Sequence, residues 1–388
     1  MITELRKRKP HALASNFRPV LVRIYWPSAV FPVEKGEHCG ASVTSRKENN
    51  EDQKIYLEAD EERNLAETLP GWAKTAFPTA SGRPEFETEL ARFRELIMKD
   101  EREELSQQQA EELTAILLRW RDIGKTERGQ GVDGLEENPF IGNARENAER
   151  WKPSTTHPRA GFPEGSSSGT WIGWANVFTF WTMKERAGIV GSHGVYDLLK
   201  ALQPIRDQKR IRIHLVGHSF GSKVIASAVT GHGRQPANHV DSMLILQGAI
   251  SHLSFGTVDE IRQYGITTDR PGRYVDIMTR GLVHGPLLVT LTKYDRALSK
   301  AYPRGVAVNG DFLEGEKVEK YGSLGVEGIQ GPRAASLKLS HERLKDKIDQ
   351  HPLRFNVDAT NVIKGHSDLM KEEVFTLFWD MVQASREK

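Results

Sequence analysis

The sequence predicts an α/β protein with a doubly wound, mostly parallel β-sheet and a helical insertion. Short apolar strand patterns alternate with helical patterns, which is typical of parallel sheets. The alternation is interrupted between residues 33 and 174, where amphipathic helical patterns replace strand patterns. One strand pattern, within residues 211–230, runs through a glycine-flanked serine directly into a helix. We therefore expect a basic flexible tail (1–17), an α/β core (18–32 and 175–388) and a helical insertion with polar linkers (33–174).

Composition excludes several classes of protein. The 54 Lys and Arg nearly balance the 52 Asp and Glu, so charge gives no argument for nucleic acid or an anionic membrane as partner. No apolar run approaches the roughly 20 residues of a membrane-spanning helix, and no apolar segment follows the basic cluster at residues 6–9 as in a secretory signal. The single cysteine, Cys39, excludes an internal disulfide and a cysteine metal cluster. We expect a cytoplasmic protein without an integral membrane segment.

The first strand is predicted over residues 18–26, RPVLVRIYW. Val20, Val22 and Ile24 alternate, and the opposite face is apolar except for Arg23. Strands that are apolar on both faces are typical of the interior of parallel sheets, so we predict an interior strand here.

Helices are predicted through the insertion, over residues 58–69, 84–99 and 106–120. Pro70 is expected to end the first, and Ser106 with Gln109 has capping-box spacing at the start of the third. Each helix has one apolar stripe, so the group needs a partner surface. A lid over a site and a peripheral helical subdomain both satisfy this requirement. The polar linkers at 46–53 and 127–156 are expected to be mobile.

The strand, serine and helix of residues 211–230 match a nucleophile elbow. Gly217-His218-Ser219-Phe220-Gly221 fits G-x-S-x-G, which presents a serine hydroxyl at a sharp strand-to-helix turn. We expect the glycines at 217 and 221 to relieve crowding around a strained Ser219. A bare match also arises by chance as a Gly/Ser turn between core elements, so the flanking strand and helix carry the interpretation.

Further strands are predicted over residues 240–249, 285–292 and 355–363, with a closing helix over 370–384. A serine nucleophile needs a base, and the base needs an acid that fixes its tautomer. Asp295 follows the second of these strands and His366 the third, at the edge where Ser219 emerges. The sequence therefore predicts Ser219, Asp295 and His366 as a catalytic triad.

Other interpretations stay open. Asp295 could equally be a helix N-cap or a loop ion-pair partner, and His366 a cap of the final helix. The rival side chains are less well placed: His341 and His351 in or beside a charged helical stretch, His284 ahead of its strand, and Asp276 outside a clear sheet strand. No nucleotide-binding glycine motif follows a strand.

The motif GHSFG with Asp295 and His366 resembles the α/β-hydrolase superfamily. The segments YWPS, FWTMKERAGIVG, LILQGAISHLSFG and GPLLVTLTKYDRAL resemble a poorly characterised soluble group within it. The resemblance implies Ser219 as nucleophile, His366 as general base, Asp295 as its orienting acid and the Phe220 backbone N–H as one oxyanion donor. It implies an esterase or lipase-like serine hydrolase that needs no metal and no cofactor.

One departure from the family's pattern stands out. Family members carry a strand ending in His-Gly, whose following loop gives the second oxyanion donor, and no such strand is found in the 17 residues before Arg18. This suggests N-terminal truncation, a substitute donor or low activity. Two hypotheses follow: a serine hydrolase that cleaves a small-molecule carboxylic ester, such as a lipid or acyl ester, or an inactive hydrolase-fold module that binds a protein partner through its insertion.

Overall fold

The computed structural model describes residues 19–24, 59–100, 105–121, 143–150, 171–232, 237–263, 266–302, 321–339, 342–348 and 353–385. The predicted tail (1–17) and the linkers at 46–53 and 127–156 lie outside these ranges, apart from residues 143–150. In chain order the described helices are α1 (Ala59–Ala76), α2 (Pro78–Ser81), α3 (Phe86–Asp100), α4 (Gln107–Trp120), α5 (Ala144–Arg150), α6 (Trp171–Val190), α7 (Tyr196–Lys209), α8 (Gly221–Thr230), α9 (Val258–Gln263), α10 (Val275–Thr279), α11 (Leu324–Glu327) and α12 (Glu372–Ala384). Short π-helical turns occupy Gly191–Val195 and Ala297–Ala301.

The described strands form one parallel sheet. They are β1 (His214–Ser219), β2 (Ser242–Gly248), β3 (Leu287–Leu291), β4 (Ala335–Lys338) and β5 (Arg354–Asp358). Their spatial order is β1-β2-β3-β5-β4, and every neighbouring pair is parallel. All seven residues of β2 are buried, as expected for an apolar interior strand. The predicted α/β class with a parallel sheet is confirmed.

Helices cover both faces of this sheet. Successive side chains of a strand point to opposite faces, and β2 follows the rule. Met243 and Ile245 pack in a cluster with α8 and α10, whereas Leu244 and Leu246 pack in a second cluster with α12. The period of two in the sequence thus places one core on each side of the strands.

A third core holds the predicted helical region. It joins the apolar stripes of α1, α3 and α4 to α6 and to Ala249, Leu298 and Tyr302 of the sheet domain. The predicted capping box is present, since the Gln109 N–H donates to Ser106 Oγ and the Ser106 N–H donates to Gln109 Oε1. The helical region is therefore packed on the sheet domain through a shared core.

The prediction that Pro70 ends the first helix is wrong. Helix α1 continues through Pro70 to Ala76. Proline removes one backbone donor and costs a helix interior about 3 kcal/mol. Trp72, Ala73 and Ala76 are buried in the helical core, so tertiary packing beyond the proline outweighs the local preference.

The prediction of an interior strand over residues 18–26 is wrong for its described part. Residues 19–24 belong to none of the described strands, and the Val20 side chain is 88% exposed. Alternation shows that a segment suits a pleated surface, but a strand also needs a neighbour with which to pair.

No helix in the described part of the chain is long and apolar enough to cross a membrane.

Candidate active site

Ser219 lies at a sharp turn between β1 and α8. Its φ of 53° falls in the left-handed region, which is strained for a residue with a side chain. The register between β1 and β2 shifts between His218 and Ser219. The Ser219 carbonyl accepts hydrogen bonds from the Ala249 N–H (3.1 Å) and from Ser222 Oγ (2.5 Å), so contacts from the residue after β2 and from α8 hold the strained residue in place.

The two glycines of the elbow differ in what they permit. A Cβ at Gly217 would lie 2.5 Å from the Gly221 carbonyl oxygen, so a glycine is required there. A Cβ at Gly221 would meet nothing within 4 Å. The expectation that both glycines relieve crowding is therefore correct for Gly217 and wrong for Gly221, whose Cβ position faces open space.

Gly217→Ala is expected to destabilise the protein by about 1–3 kcal/mol, because backbone atoms of the elbow must shift to admit the methyl group. Gly221→Ala is the matched control and is expected to stay within about 0.5 kcal/mol of wild type. Urea unfolding followed by circular dichroism measures both free energies of unfolding. Equal free energies for the two variants would contradict the steric account of the elbow.

The structure brings the side chains of Ser219, His366 and Asp295 together. His366 Nδ1 lies 2.7 Å from Asp295 Oδ2, and His366 Nε2 lies 2.9 Å from Ser219 Oγ. Asp295 follows β3 and His366 follows β5, so the parallel strands deliver all three residues to one edge of the sheet. A carboxylate only accepts hydrogen bonds, so the proton is on Nδ1, and Nε2 accepts from the serine hydroxyl.

The Asp295 carboxylate is fully buried and is shared between two tasks. Oδ1 accepts from the Leu298 N–H (3.0 Å) in the turn Ala297–Ala301, while Oδ2 accepts from His366. One carboxylate oxygen of Asp295 thus contacts the turn Ala297–Ala301, whose N-cap is Arg296, and the other contacts the His366 imidazole.

The rival residues lie elsewhere. His284 is exposed and contacts Arg206 and His239 (3.0 Å each), ahead of β3. Asp276 lies on α10 and contacts Arg280 at 3.3 Å. The N-cap of α12 is Lys371, so His366 does not cap that helix. His341 and His351 lie outside the described residues.

Gln247 contributes to the site, although no pattern in the sequence singled it out. This buried residue is the last but one of β2 and has a φ of 45°. Its Nε2 donates to Asp295 Oδ2 (3.4 Å) and to the Gly325 carbonyl (3.3 Å), and its Oε1 accepts from Thr290 Oγ1 (2.8 Å). The signal in the sequence was a polar amide at the end of the apolar run LILQG.

His218 contacts the loop that carries His366. Its Nε2 lies 2.8 Å from the His366 carbonyl oxygen, and the two imidazole rings are 4.8 Å apart. Burial, followed by the nearby His366, lowers the pKa of His218 to about 4. His218 is therefore neutral at neutral pH.

Three aromatic side chains form successive ring contacts that begin at Phe220, the residue after Ser219. The Phe220 ring lies 5.3 Å from the Phe180 ring, which lies 5.7 Å from Tyr302. The buried Lys184 donates to the Tyr302 hydroxyl (2.7 Å) and lies over its ring. Phe180 and Phe220 are partly buried and pack against the core of the helical region. The helical region thus reaches the residue that follows Ser219.

Helix α8 begins two residues after Ser219. The N-cap of α8 is Phe220, whose carbonyl accepts from the N–H groups of Lys223 and Val224. The first amides of a helix have no intrahelical acceptor and carry partial positive charge. This is the polarity that an oxyanion beside Ser219 requires.

Comparisons of this chain with protein-family models, with curated proteins and with solved structures found no match.

Proposed function

We propose that this protein is a serine hydrolase that cleaves carboxylic esters through an acyl-enzyme on Ser219. The observation that carries the proposal is the hydrogen-bonded chain from Ser219 Oγ through the His366 imidazole to the buried Asp295 carboxylate. Hydroxyl, imidazole and carboxylate in this order form the constellation of acyl transfer, whichever fold carries it.

The reaction begins with attack by Ser219 Oγ on the ester carbonyl carbon while His366 Nε2 accepts the hydroxyl proton. Negative charge develops on the carbonyl oxygen, where the Phe220 N–H stabilises it. The C–O bond to the alcohol then breaks, and the alcohol oxygen takes the proton from Nε2. Water, deprotonated by His366, attacks the acyl-enzyme, and the carboxylic acid and Ser219 are released. Asp295 keeps the proton on Nδ1 and stabilises the imidazolium throughout.

The fold assignment that belongs with this function is the doubly wound α/β-hydrolase type. Its support is the strand, elbow and helix at Ser219 together with the chain order serine, aspartate, histidine. None of the described strands ends in the His-Gly that the resemblance implies ahead of residues 18–26. Loss of one oxyanion donor costs about a hundredfold to a thousandfold in turnover, so we expect slow ester hydrolysis.

Labelling with a fluorophosphonate tests the proposal. The wild type is expected to form one covalent adduct on Ser219, because only an activated serine attacks the phosphorus. Ser219→Ala is expected to lose the adduct. Ser227→Ala is the control. It removes a hydroxyl from α8, where Ser227 Oγ lies 3.0 Å from the Tyr274 hydroxyl, and this variant is expected to label like the wild type. Intact mass and peptide mapping report the site. Folded wild type without label, or label that persists in Ser219→Ala, would end the proposal.

The second candidate function is a binding module on a hydrolase fold without turnover. Its support is that residues 19–24 form none of the described strands and that β1 lies at the edge of the described sheet. The helical region would then be the surface for a protein partner. Hydrolysis of p-nitrophenyl esters separates the candidates, since the module predicts the same rate for wild type and Ser219→Ala.

A further inference from the structure

The imidazole of His218 connects the nucleophile strand to the backbone of the base. His218 immediately precedes Ser219 in β1, and its Nε2 is 2.8 Å from the carbonyl oxygen of His366, 148 residues away in sequence. A carbonyl oxygen only accepts, so His218 Nε2 carries the proton and donates. The two rings lie 4.8 Å apart and are tilted by 43°. One side chain therefore contacts both the peptide and the ring of His366.

The loop around His366 has separate attachments at its two ends. Thr292 Oγ1 donates to the Ile363 carbonyl (2.9 Å) before it, and the Lys364 N–H donates to Asp368 Oδ2 (3.0 Å) across it. His218 supplies the hydrogen bond to the peptide of His366 itself. His218 directly precedes Ser219 in the chain. Its hydrogen bond to the His366 peptide therefore restrains the position of His366 relative to Ser219.

We propose that His218 is a positioning residue that sets the distance between His366 Nε2 and Ser219 Oγ. This inference rests on the proposed hydrolase function and extends it to a fourth side chain. Acyl transfer requires reacting atoms within about 3–3.5 Å, and a displacement of 1 Å costs about a hundredfold in rate. Besides the direct hydrogen bond between Ser219 and His366, the His218 ring links the strand that ends at Ser219 to the His366 carbonyl.

The charge state of His218 suits this role. The groups that face its ring are His366, which disfavours a second positive charge, and Asp295, which favours one, and burial outweighs both. A neutral ring at neutral pH adds no repulsion when His366 becomes an imidazolium during attack. A cation at position 218 would oppose that step.

Two substitutions separate the hydrogen bond from the ring. His218→Phe keeps a planar ring and removes the donor, whereas His218→Gln keeps an N–H donor. We expect His218→Phe to lower the second-order rate of fluorophosphonate labelling about a hundredfold, and His218→Gln to recover about tenfold of that loss. His239→Gln is the matched control, because His239 is also a half-buried histidine with a lowered pKa but lies away from Ser219. It is expected to label within twofold of wild type.

Rescue by His218→Gln distinguishes positioning from a structural role. A structural role makes the labelling rate follow the stability of each variant, whereas a positioning role makes it follow the presence of an N–H donor at residue 218. Rates are measured at a temperature where circular dichroism shows every variant folded. Should His218→Phe not fold, His218→Asn replaces it, because the shorter amide cannot reach the His366 carbonyl.

Each outcome decides the matter. A wild-type rate in His218→Phe, or a lowered rate that His218→Gln does not recover, overturns the positioning role and leaves the hydrolase proposal intact. A lower melting temperature with an unchanged rate also overturns it, since His218 would then only support the fold. A wild type that does not label overturns the proposed function and this role together.

Discussion

His366→Ala is expected to lower kcat for p-nitrophenyl ester hydrolysis by about 10⁵- to 10⁶-fold, or to the uncatalysed rate where that is reached first. The reason is the 2.9 Å contact between His366 Nε2 and Ser219 Oγ, through which the serine proton leaves in the proposed mechanism. A serine hydroxyl without a base is a very weak nucleophile at neutral pH. Steady-state kinetics with titrated enzyme measures the effect.

The control for this variant is His284→Ala. His284 is exposed, lies ahead of β3 and contacts His239 and Arg206 rather than the elbow. Its removal is expected to leave kcat within twofold of wild type. Comparable losses in both variants would show that the measured hydrolysis does not use His366 as its base.

The elbow was predictable from the sequence because it is local. Strand, serine turn and helix lie within 20 consecutive residues, and the steric requirement at Gly217 arises from Gly221, four positions away. Asp295 and His366 were predictable for a different reason. Once the sheet is parallel, every residue just beyond the carboxyl end of a strand reaches the same edge. The topology of a parallel sheet therefore predicts that these residues lie close together without any knowledge of side-chain contacts.

Gln247 and the role of His218 could not be derived in this way. Gln247 reaches Asp295 only because the register of β2 against β3 and a φ of 45° aim its amide there. His218 contacts His366 because the loop after β5 brings the His366 carbonyl to the His218 ring. Neither register nor loop path is encoded in a local pattern, so alternation and motif spacing cannot find such contacts.

The failed predictions share a physical cause. Residues 19–24 have a strand pattern, and Pro70 is a helix breaker, but local preference decided neither outcome. Residues 19–24 have no described strand beside them. The helix-breaking preference of Pro70 is outweighed by burial of the residues that follow it in α1. A proline in a helix interior costs about 3 kcal/mol, and burial of a tryptophan side chain such as that of Trp72 contributes about 3–5 kcal/mol.

Asp295→Asn is expected to lower kcat by about 10⁴-fold with little change in the fold. The asparagine amide can present its NH₂ group to His366 Nδ1, where the carboxylate now accepts at 2.7 Å. The imidazole would then accept at Nδ1 and carry its proton on Nε2, which faces Ser219 Oγ. In that tautomer Nε2 cannot take the serine proton, and the imidazolium loses the negative charge that stabilises it.

The fold should tolerate this change, because the asparagine Oδ1 can still accept from the Leu298 N–H as Asp295 does at 3.0 Å. Asp276→Asn is the matched control: it removes a carboxylate that contacts only Arg280 among its described ion pairs, and kcat is expected to stay within twofold of wild type. Kinetics with p-nitrophenyl esters and urea unfolding measure the two properties separately. A large fall in the free energy of unfolding together with an unchanged kcat in Asp295→Asn would assign Asp295 to the turn Ala297–Ala301 alone and would remove it from the triad.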